Sequence, residues 1–191
     1  LLPAALREGA EAIAEGLEKS VTLGVGQFCT NPGLVAGLRG NDLERFLGKL
    51  GRRIEAFAPG TLLCEAIRRS YEAGIERLRS MSGVNVVAQS CTTADPSRNQ
   101  AGAVVFATDA ERFLEEPGMS EEVFGPSTIV VRCGSREEME AVARSLPGQL
   151  TATVHARAED LDGFRALLGI LEEKAGRLIW GGYPTGVEVC H

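Results

Sequence analysis

Beyond Gly83 the sequence alternates between β-rich segments and helical patterns, and this alternation restricts the possible folds more than any other feature. Predicted strands, rich in β-branched residues, lie at 84–88, 103–107, 128–132, 151–155 and 178–180. Apolar stripes with helical spacing at 137–146 and 159–173 separate several of these strands. Parallel neighbours need a long crossover, usually a helix, whereas antiparallel neighbours can be joined by a tight hairpin. The sequence therefore predicts a layered α/β domain with a largely parallel sheet.

The first half of the chain supplies three predicted helices. The first runs from Pro3 to about Ser20, and a glycine-rich turn then leads into a short buried strand that ends at Gly40. The second begins at Asn41 or Asp42, since either side chain can cap a helix. The third begins near Thr61. Its predicted core-facing stripe consists of Leu63, Ile67, Tyr71, Ile75 and Leu78. The polar segment 92–100 is predicted to be a loop.

Length and charge limit the kinds of partner. The 191 residues suit one domain, with two as the upper limit, and the net charge is −6. An acidic chain without clustered Lys and Arg has no electrostatic basis for binding nucleic acid. Its apolar runs fall far short of the roughly 20 residues that cross a bilayer, so no membrane partner is predicted. The amino end lacks the basic run of a signal or transit peptide.

The cysteines indicate neither a disulfide framework nor a metal site. There are five of them, an odd number, and they are widely spaced. Structural zinc needs closely paired ligands, so no metal site is predicted, and a reducing cytoplasm is the predicted compartment. Four of the cysteines are predicted to be buried structural residues: Cys64, Cys91, Cys133 and Cys190.

The fifth cysteine, Cys29, has a different setting. It lies in the segment Gly24-Val25-Gly26-Gln27-Phe28-Cys29-Thr30-Asn31-Pro32-Gly33, a glycine-bounded turn between a predicted helix and a predicted strand. Such a turn can aim a side chain into a cleft. A free thiol titrates at about 8.5, so a nucleophile needs thiolate stabilisation from N–H groups, a cation or a base. Spacing alone leaves open whether Cys29 is a nucleophile or a small packed side chain.

Two motifs resemble the aldehyde dehydrogenase superfamily. The G-Q-x-C nucleophile turn of that superfamily matches Gly26-Gln27-Phe28-Cys29, and its E-E-x-F-G-P motif matches Glu121-Glu122-Val123-Phe124-Gly125-Pro126, in the same order and at about the same separation. The wider context, with Gly181-Gly182-Tyr183-Pro184-Thr185-Gly186-Val187, is most similar to the branch that oxidises α-ketoglutaric semialdehyde (2,5-dioxovalerate). The resemblance covers the whole chain, so residues 1–191 are predicted to form the catalytic domain of a longer enzyme.

The resemblance implies a role for each matching residue. Cys29 would attack the aldehyde carbon to give a thiohemiacetal, which loses hydride to NAD or NADP and becomes a thioester that water hydrolyses to the acid. The backbone N–H of Cys29 would be one oxyanion donor. Glu122 would accept hydrogen bonds from the nicotinamide ribose, and Phe124 would pack near the nicotinamide ring. Asn31 is not the counterpart of the asparagine that supplies the second oxyanion donor.

Other parts of the implied enzyme have no match in this sequence. These are the nucleotide-binding domain, the glutamate that acts as general base and the carboxyl-terminal oligomerisation segment. We therefore expect this chain alone to be inactive and the full-length protein to be a homo-oligomer. The choice between NAD and NADP depends on residues of the nucleotide-binding domain. Three arginines could supply a cation for an acidic aldehyde, and the sequence does not rank them: Arg39, Arg98 and Arg157.

Two other functions remain open at this point. One is a cysteine-dependent acyl hydrolase or transferase, which would need a histidine beside the thiol. His155 is the only internal histidine, and its place at the end of a predicted strand indicates a structural role. The other is a non-catalytic α/β assembly module, in which Cys29 would be merely packed.

Overall fold

We describe residues 1–185 from a computed structural model, in which seven α-helices and eight strands are defined. The helices are α1 (Pro3–Thr22), α2 (Asn41–Ala56), α3 (Glu65–Ser80), α4 (Ala110–Glu115), α5 (Arg136–Ser145), α6 (Ala158–Leu161) and α7 (Arg165–Lys174). The strands are β1 (Leu34–Leu38), β2 (Gly60–Thr61), β3 (Asn85–Gln89), β4 (Gln100–Ala101), β5 (Val104–Asp109), β6 (Ser127–Cys133), β7 (Gln149–Val154) and β8 (Ala175–Trp180).

The main sheet has four strands in the order β1-β6-β5-β3. Strand β6 pairs in parallel with β1 on one side and with β5 on the other. Strand β3 is antiparallel to β5 and forms one edge of the sheet. Strands β7 and β8 form a separate parallel pair, and β2 and β4 form a short antiparallel pair. The prediction of an α/β domain with a largely parallel sheet is confirmed.

Helices cover both faces of the main sheet. Along β5, Phe106 points into a core built with α3, α5 and α7, while its neighbour Val105 points into a second core built with α1 and α2. Along β6, Val131 packs in the first of these cores and Val130 packs in the second. Strands that are covered on both faces read as continuous apolar runs. The apolar segments 103–107 and 128–132 therefore correspond to the central strands of the sheet, which lies between the two layers of helices.

The first two residues connect the main sheet to the β7–β8 pair. The backbone nitrogen of Leu1 donates to the Ala36 carbonyl of β1 at 2.7 Å. The backbone N–H of Leu2 donates to the carbonyl of His155, directly after β7, at 2.9 Å. Residues 1 and 2 thus lie between the facing edges of β1 and β7.

The third helix begins later than the sequence predicts. Thr61 pairs with Gln100 in the β2–β4 ladder, and the Leu62 N–H donates to the Asn99 carbonyl at 2.9 Å. This extended segment delays the helix to Glu65 and leaves Leu63 84% exposed, so the prediction that Leu63 faces the core is wrong. The predicted helix over 159–173 is likewise divided, since a 3₁₀ turn at Asp162–Phe164 separates α6 from α7.

The structure corrects two of the four cysteine predictions. Cys64 is exposed because it ends the extended segment as the residue that caps α3, outside the buried stripe. Cys91 is exposed because it lies in the loop after β3. Cys133 is buried as predicted, and burial raises the pKa of its thiol to about 12. Cys190 lies outside the described residues.

Candidate active site

The topology brings the two motifs together. The cysteine turn directly precedes β1, and the Glu121–Pro126 motif directly precedes β6. Strands β1 and β6 are parallel neighbours, so the segments that enter them meet at the same edge of the sheet. The Ile129 N–H donates to the Gly33 carbonyl at 3.0 Å at this edge. This is the amino edge, opposite to the carboxyl edge where open α/β sheets commonly bind ligands.

The cysteine turn begins with three successive residues in the left-handed region. Their φ angles are 55° at Gly24, 58° at Val25 and 68° at Gly26. For a β-branched residue such as Val25 this conformation is strained, at a cost of about 1–3 kcal/mol, and it persists only where the surroundings enforce it. Packing against Gly60 provides that enforcement, since a Cβ on Gly60 would lie 2.5 Å from Val25 Cγ2.

The Gln27 side chain forms hydrogen bonds both within the cysteine turn and to the segment before α3. Its Nε2 donates to the Gly24 carbonyl at 2.8 Å, and its Oε1 accepts from the Leu63 N–H at 2.8 Å. Both ends of the amide are therefore used in holding the turn. This bond also explains why the backbone around Leu63 stays extended, a tertiary effect that the local sequence pattern does not reveal.

The backbones of the two motifs touch. A Cβ on Gly26 would lie only 2.2 Å from the carbonyl carbon of Gly125, so only glycine allows this approach. On its other side Gly125 packs on Tyr71, where a Cβ would lie 2.3 Å from the ring Cδ2. The buried Tyr71 hydroxyl donates to the Gly102 carbonyl at 2.8 Å, and burial raises the pKa of this phenol. The two turns are thus packed against each other and supported from below by α3.

Cys29, Glu122 and Phe124 line one cleft. The cleft has a volume of about 720 Å³ and extends from the two turns to the gap between β1 and β7. Cys29 and Glu122 are exposed, and Phe124 is partly buried. A thiol and a carboxylate that face a common space beside an aromatic ring can serve covalent chemistry on a bound ligand. The structure brings these three predicted residues together, and their roles remain predictions.

The two glutamates of the motif differ in their partners. Glu121 pairs with Arg77 at 3.2 Å. Within residues 1–185, Glu122 has neither an ion pair nor a side-chain hydrogen bond, although it lines the cleft. Glu122 is therefore the carboxylate that is free to accept hydrogen bonds from a ligand.

His155 is poorly suited to act as a base for Cys29. It is buried, and its ring centroid lies 5.1 Å from that of Tyr183. Burial lowers the pKa of His155 to about 4. Among the described residues no hydrogen bond joins the Cys29 thiol to His155. The geometry agrees with the predicted structural role and weakens the acyl hydrolase alternative.

None of the three candidate arginines lies among the described residues that line the cleft. Arg39 pairs with Asp109 at 2.9 Å, and Arg157 pairs with Glu8 at 2.7 Å. Arg98 lies in the 92–100 loop, which contains a 3₁₀ turn at Pro96–Arg98. A lysine that the sequence did not single out, Lys174 at the end of α7, does line the cleft, and its Nζ donates to the Leu146 carbonyl at 2.6 Å.

Residues 1–185 contain neither a cluster of metal ligands nor a helix that could span a membrane. No group of three or more metal-ligating side chains is placed to hold an ion in the described part of the chain. None of the described helices has the length and apolar character required to cross a membrane.

Known proteins resemble the chain over its entire length. An α-ketoglutaric semialdehyde dehydrogenase 2 from Azospirillum brasilense is 45% identical over 190 residues, which are 100% of this chain and 36% of that protein. An α-ketoglutaric semialdehyde dehydrogenase from Acinetobacter baylyi is 34% identical over 190 residues, which are 99% of this chain and 36% of that protein. No family model matches the chain.

Solved structures resemble the chain as well. A 1-pyrroline-5-carboxylate dehydrogenase from Thermus with bound NAD superimposes with a TM-score of 0.76 at 21% identity, over 95% of this chain and 35% of that one. An aldehyde dehydrogenase from Bacillus cereus superimposes with a TM-score of 0.75 at 20% identity, over 93% of this chain and 36% of that one. This is the aldehyde dehydrogenase fold. The predicted resemblance to the aldehyde dehydrogenase superfamily is confirmed.

The aldehyde dehydrogenase fold is present here only in part. The chain spans 36% of the length of its curated relatives and about the same share of the solved dehydrogenases. The assignment of residues 1–191 to one catalytic domain, the homo-oligomer and the cytoplasmic location stay predictions.

Proposed function

We propose that the protein containing this chain oxidises α-ketoglutaric semialdehyde to the carboxylic acid with NAD or NADP, and that this chain supplies the nucleophile Cys29. The relatives at 45% and 34% identity support the substrate. The observation that carries the proposal is the common cleft, in which Cys29 faces the same space as Glu122 and Phe124.

The cleft residues fit a nicotinamide cofactor. The carboxylate of Glu122 accepts hydrogen bonds only, which suits the two hydroxyls of a ribose, and no protein partner within the described chain occupies it. Phe124 is partly buried and offers an apolar surface to a planar ring. When bound, the cofactor supplies the hydride acceptor.

In the proposed reaction the Cys29 sulfur first bonds to the substrate carbon and later leaves the same carbon. Its thiolate adds to the aldehyde carbon, a C–S bond forms, and the carbonyl π electrons move to oxygen. Loss of hydride from that carbon, to the acceptor that the cofactor would supply, restores the carbonyl as a thioester. Water then adds to the thioester carbon and gives up one proton to solvent, the C–S bond breaks with its electron pair on sulfur, and the thiolate and the carboxylic acid result.

The backbone of the turn supports stabilisation of the oxyanion. Within the described chain the Cys29 N–H donates to no protein acceptor, whereas the Asn31 N–H, two residues further on, donates to the Phe28 carbonyl at 3.0 Å. In the proposed reaction the free Cys29 N–H donates to the oxygen that becomes charged. Removing one such donor costs about 10²–10³ in rate in other enzymes.

The test compares two exposed cysteines in the full-length enzyme. Cys29→Ala should lower the rate of semialdehyde oxidation at least 10³-fold, because no other group is proposed to form the covalent bond. Cys64→Ala removes another exposed thiol, which does not line the cleft, and should retain the wild-type rate. The measurement is the appearance of reduced cofactor. A Cys29→Ala enzyme with an undiminished rate would refute the proposal.

A further inference from the structure

Asn31 is the one side chain of the cysteine turn that forms a hydrogen bond to the other motif. Its Nδ2 donates to the Gly125 carbonyl at 3.0 Å, across 94 positions of sequence. The orientation of the amide follows from this partner, since a carbonyl oxygen accepts only and an amide oxygen in its place would repel it. The bond therefore connects the strand entry that carries Cys29 to the strand entry that carries Glu122 and Phe124.

The backbone on the other side of Asn31 is held by the cysteine turn itself. The Asn31 N–H donates to the Phe28 carbonyl at 3.0 Å, and the Asn31 carbonyl accepts from the Gly33 N–H at 2.8 Å. Cys29 lies inside the loop that the first of these bonds closes. A shift of the Asn31 side chain relative to Gly125 would thus move the turn that carries the thiol.

Asn31 also keeps an unsatisfied acceptor at the cleft. Its Oδ1 is buried and has no hydrogen-bond partner within residues 1–185, and Asn31 lines the cleft that Cys29 lines. An unsatisfied buried acceptor is unfavourable, because it loses its hydrogen bond to water without gaining another. An apolar residue would avoid this cost but would also lack the Nδ2 donor, so a need for that donor gives a reason for an asparagine here.

From these contacts we propose that Asn31 is a positioning residue. Its hydrogen bond to the Gly125 carbonyl fixes the Cys29 thiol relative to the segment that carries Glu122 and Phe124. The inference depends on the proposed function, because it concerns how the substrate carbon attached to the Cys29 sulfur is aligned with the cofactor site. Asn31 itself touches neither reacting atom. A misplacement of about 1 Å can cost on the order of 10²-fold in rate, so the bond has a measurable consequence.

The experiment compares Asn31→Asp with Asn85→Asp in the full-length enzyme. Asn31→Asp keeps the shape of the side chain but replaces the donor with an oxygen that repels the Gly125 carbonyl. It should lower kcat for semialdehyde oxidation about 10–100-fold with KM changed less than threefold. Asn85→Asp makes the same chemical change on the exposed face of β3 and should leave both constants unchanged.

A second readout without cofactor separates a loss of alignment from a loss of thiol reactivity, and the midpoint of thermal unfolding reports whether the variant folds. Alkylation of Cys29 by iodoacetamide, mapped by mass spectrometry, depends on the exposure and ionisation of the thiol and not on its alignment with the cofactor site. It should proceed within threefold of the wild-type rate in Asn31→Asp. If oxidation and alkylation fall together, or if neither changes, the positioning role is wrong. If the variant does not fold, Asn31→Ala removes the donor without adding charge and is judged by the same two measurements.

The outcomes also distinguish this inference from the proposed function. A wild-type enzyme that does not oxidise the semialdehyde refutes the proposed function. A wild-type enzyme that does, together with an Asn31→Asp enzyme of equal kcat, refutes only the role of Asn31.

Discussion

Glycine at position 26 shows how closely the candidate site depends on single residues. Gly26 has a left-handed φ of 68° and touches the Gly125 backbone. The G-Q-x-C motif marks this glycine in the sequence, but only the structure shows that its missing Cβ makes room for the other motif. The two motifs likewise predict Cys29, Glu122 and Phe124 as site residues, but no local pattern predicts the hydrogen bond of Asn31, because its partner lies 94 positions away.

Gly26→Ala should therefore damage the site more than a second glycine substitution in the same turn. The new Cβ would lie 2.2 Å from the Gly125 carbonyl carbon, which is rigid backbone, so the two turns must move apart. We expect at least a tenfold loss in the rate of semialdehyde oxidation by the full-length enzyme. Gly33→Ala is the control, since nothing lies within 4 Å of its Cβ, and it should retain the wild-type rate. Equal oxidation rates for the two variants would contradict a tight contact between Gly26 and the Gly125 backbone.

Among the elements, the central strands were predictable and the start of α3 was not. Strands β5 and β6 are covered on both faces, so their apolar runs identify them without further information. The start of α3 depends instead on distant partners, the Thr61–Gln100 pair and the Gln27–Leu63 hydrogen bond. An apolar stripe continues through Leu63 in the sequence, and only these tertiary bonds show that the backbone there is extended.

Helix α3 supports the site through Tyr71, and this contact can be tested by a change in stability. Tyr71→Phe keeps the ring beneath Gly125 but leaves the Gly102 carbonyl without the hydroxyl that donates to it. This hydrogen bond is partly buried, and the net contribution of such a bond to stability is about 0.5–1.5 kcal/mol. We expect a lower midpoint of thermal unfolding for the full-length protein.

Tyr183→Phe is the matched control for Tyr71→Phe. The Tyr183 hydroxyl donates at 3.2 Å to the Ala12 and Ile13 carbonyls of α1, which already accept hydrogen bonds within the helix. Loss of the Tyr183 hydroxyl should therefore lower the midpoint of thermal unfolding less than loss of the Tyr71 hydroxyl does. A larger loss for Tyr183→Phe would contradict the supporting role of Tyr71.

At the level of the complete chain, the position of the site follows from the strand order. Both motifs precede strands, so the sequence places each at the amino end of a strand, but it does not say that β1 and β6 are neighbours. That adjacency arises from packing between segments nearly a hundred residues apart, for which local patterns carry no signal. Once it is known, one cleft with Cys29, Glu122 and Phe124 follows.

The proposed covalent role of Cys29 can be tested by trapping the intermediate. The full-length enzyme is mixed with α-ketoglutaric semialdehyde and oxidised cofactor, quenched in acid within one turnover, and its cysteine peptides are analysed by mass spectrometry. We predict an acyl adduct on the peptide that contains Cys29 and none on the peptides that contain the exposed Cys64 and Cys91. Acid product formed at the normal rate with an adduct on another residue, or with none on Cys29 at any quench time, would contradict the account.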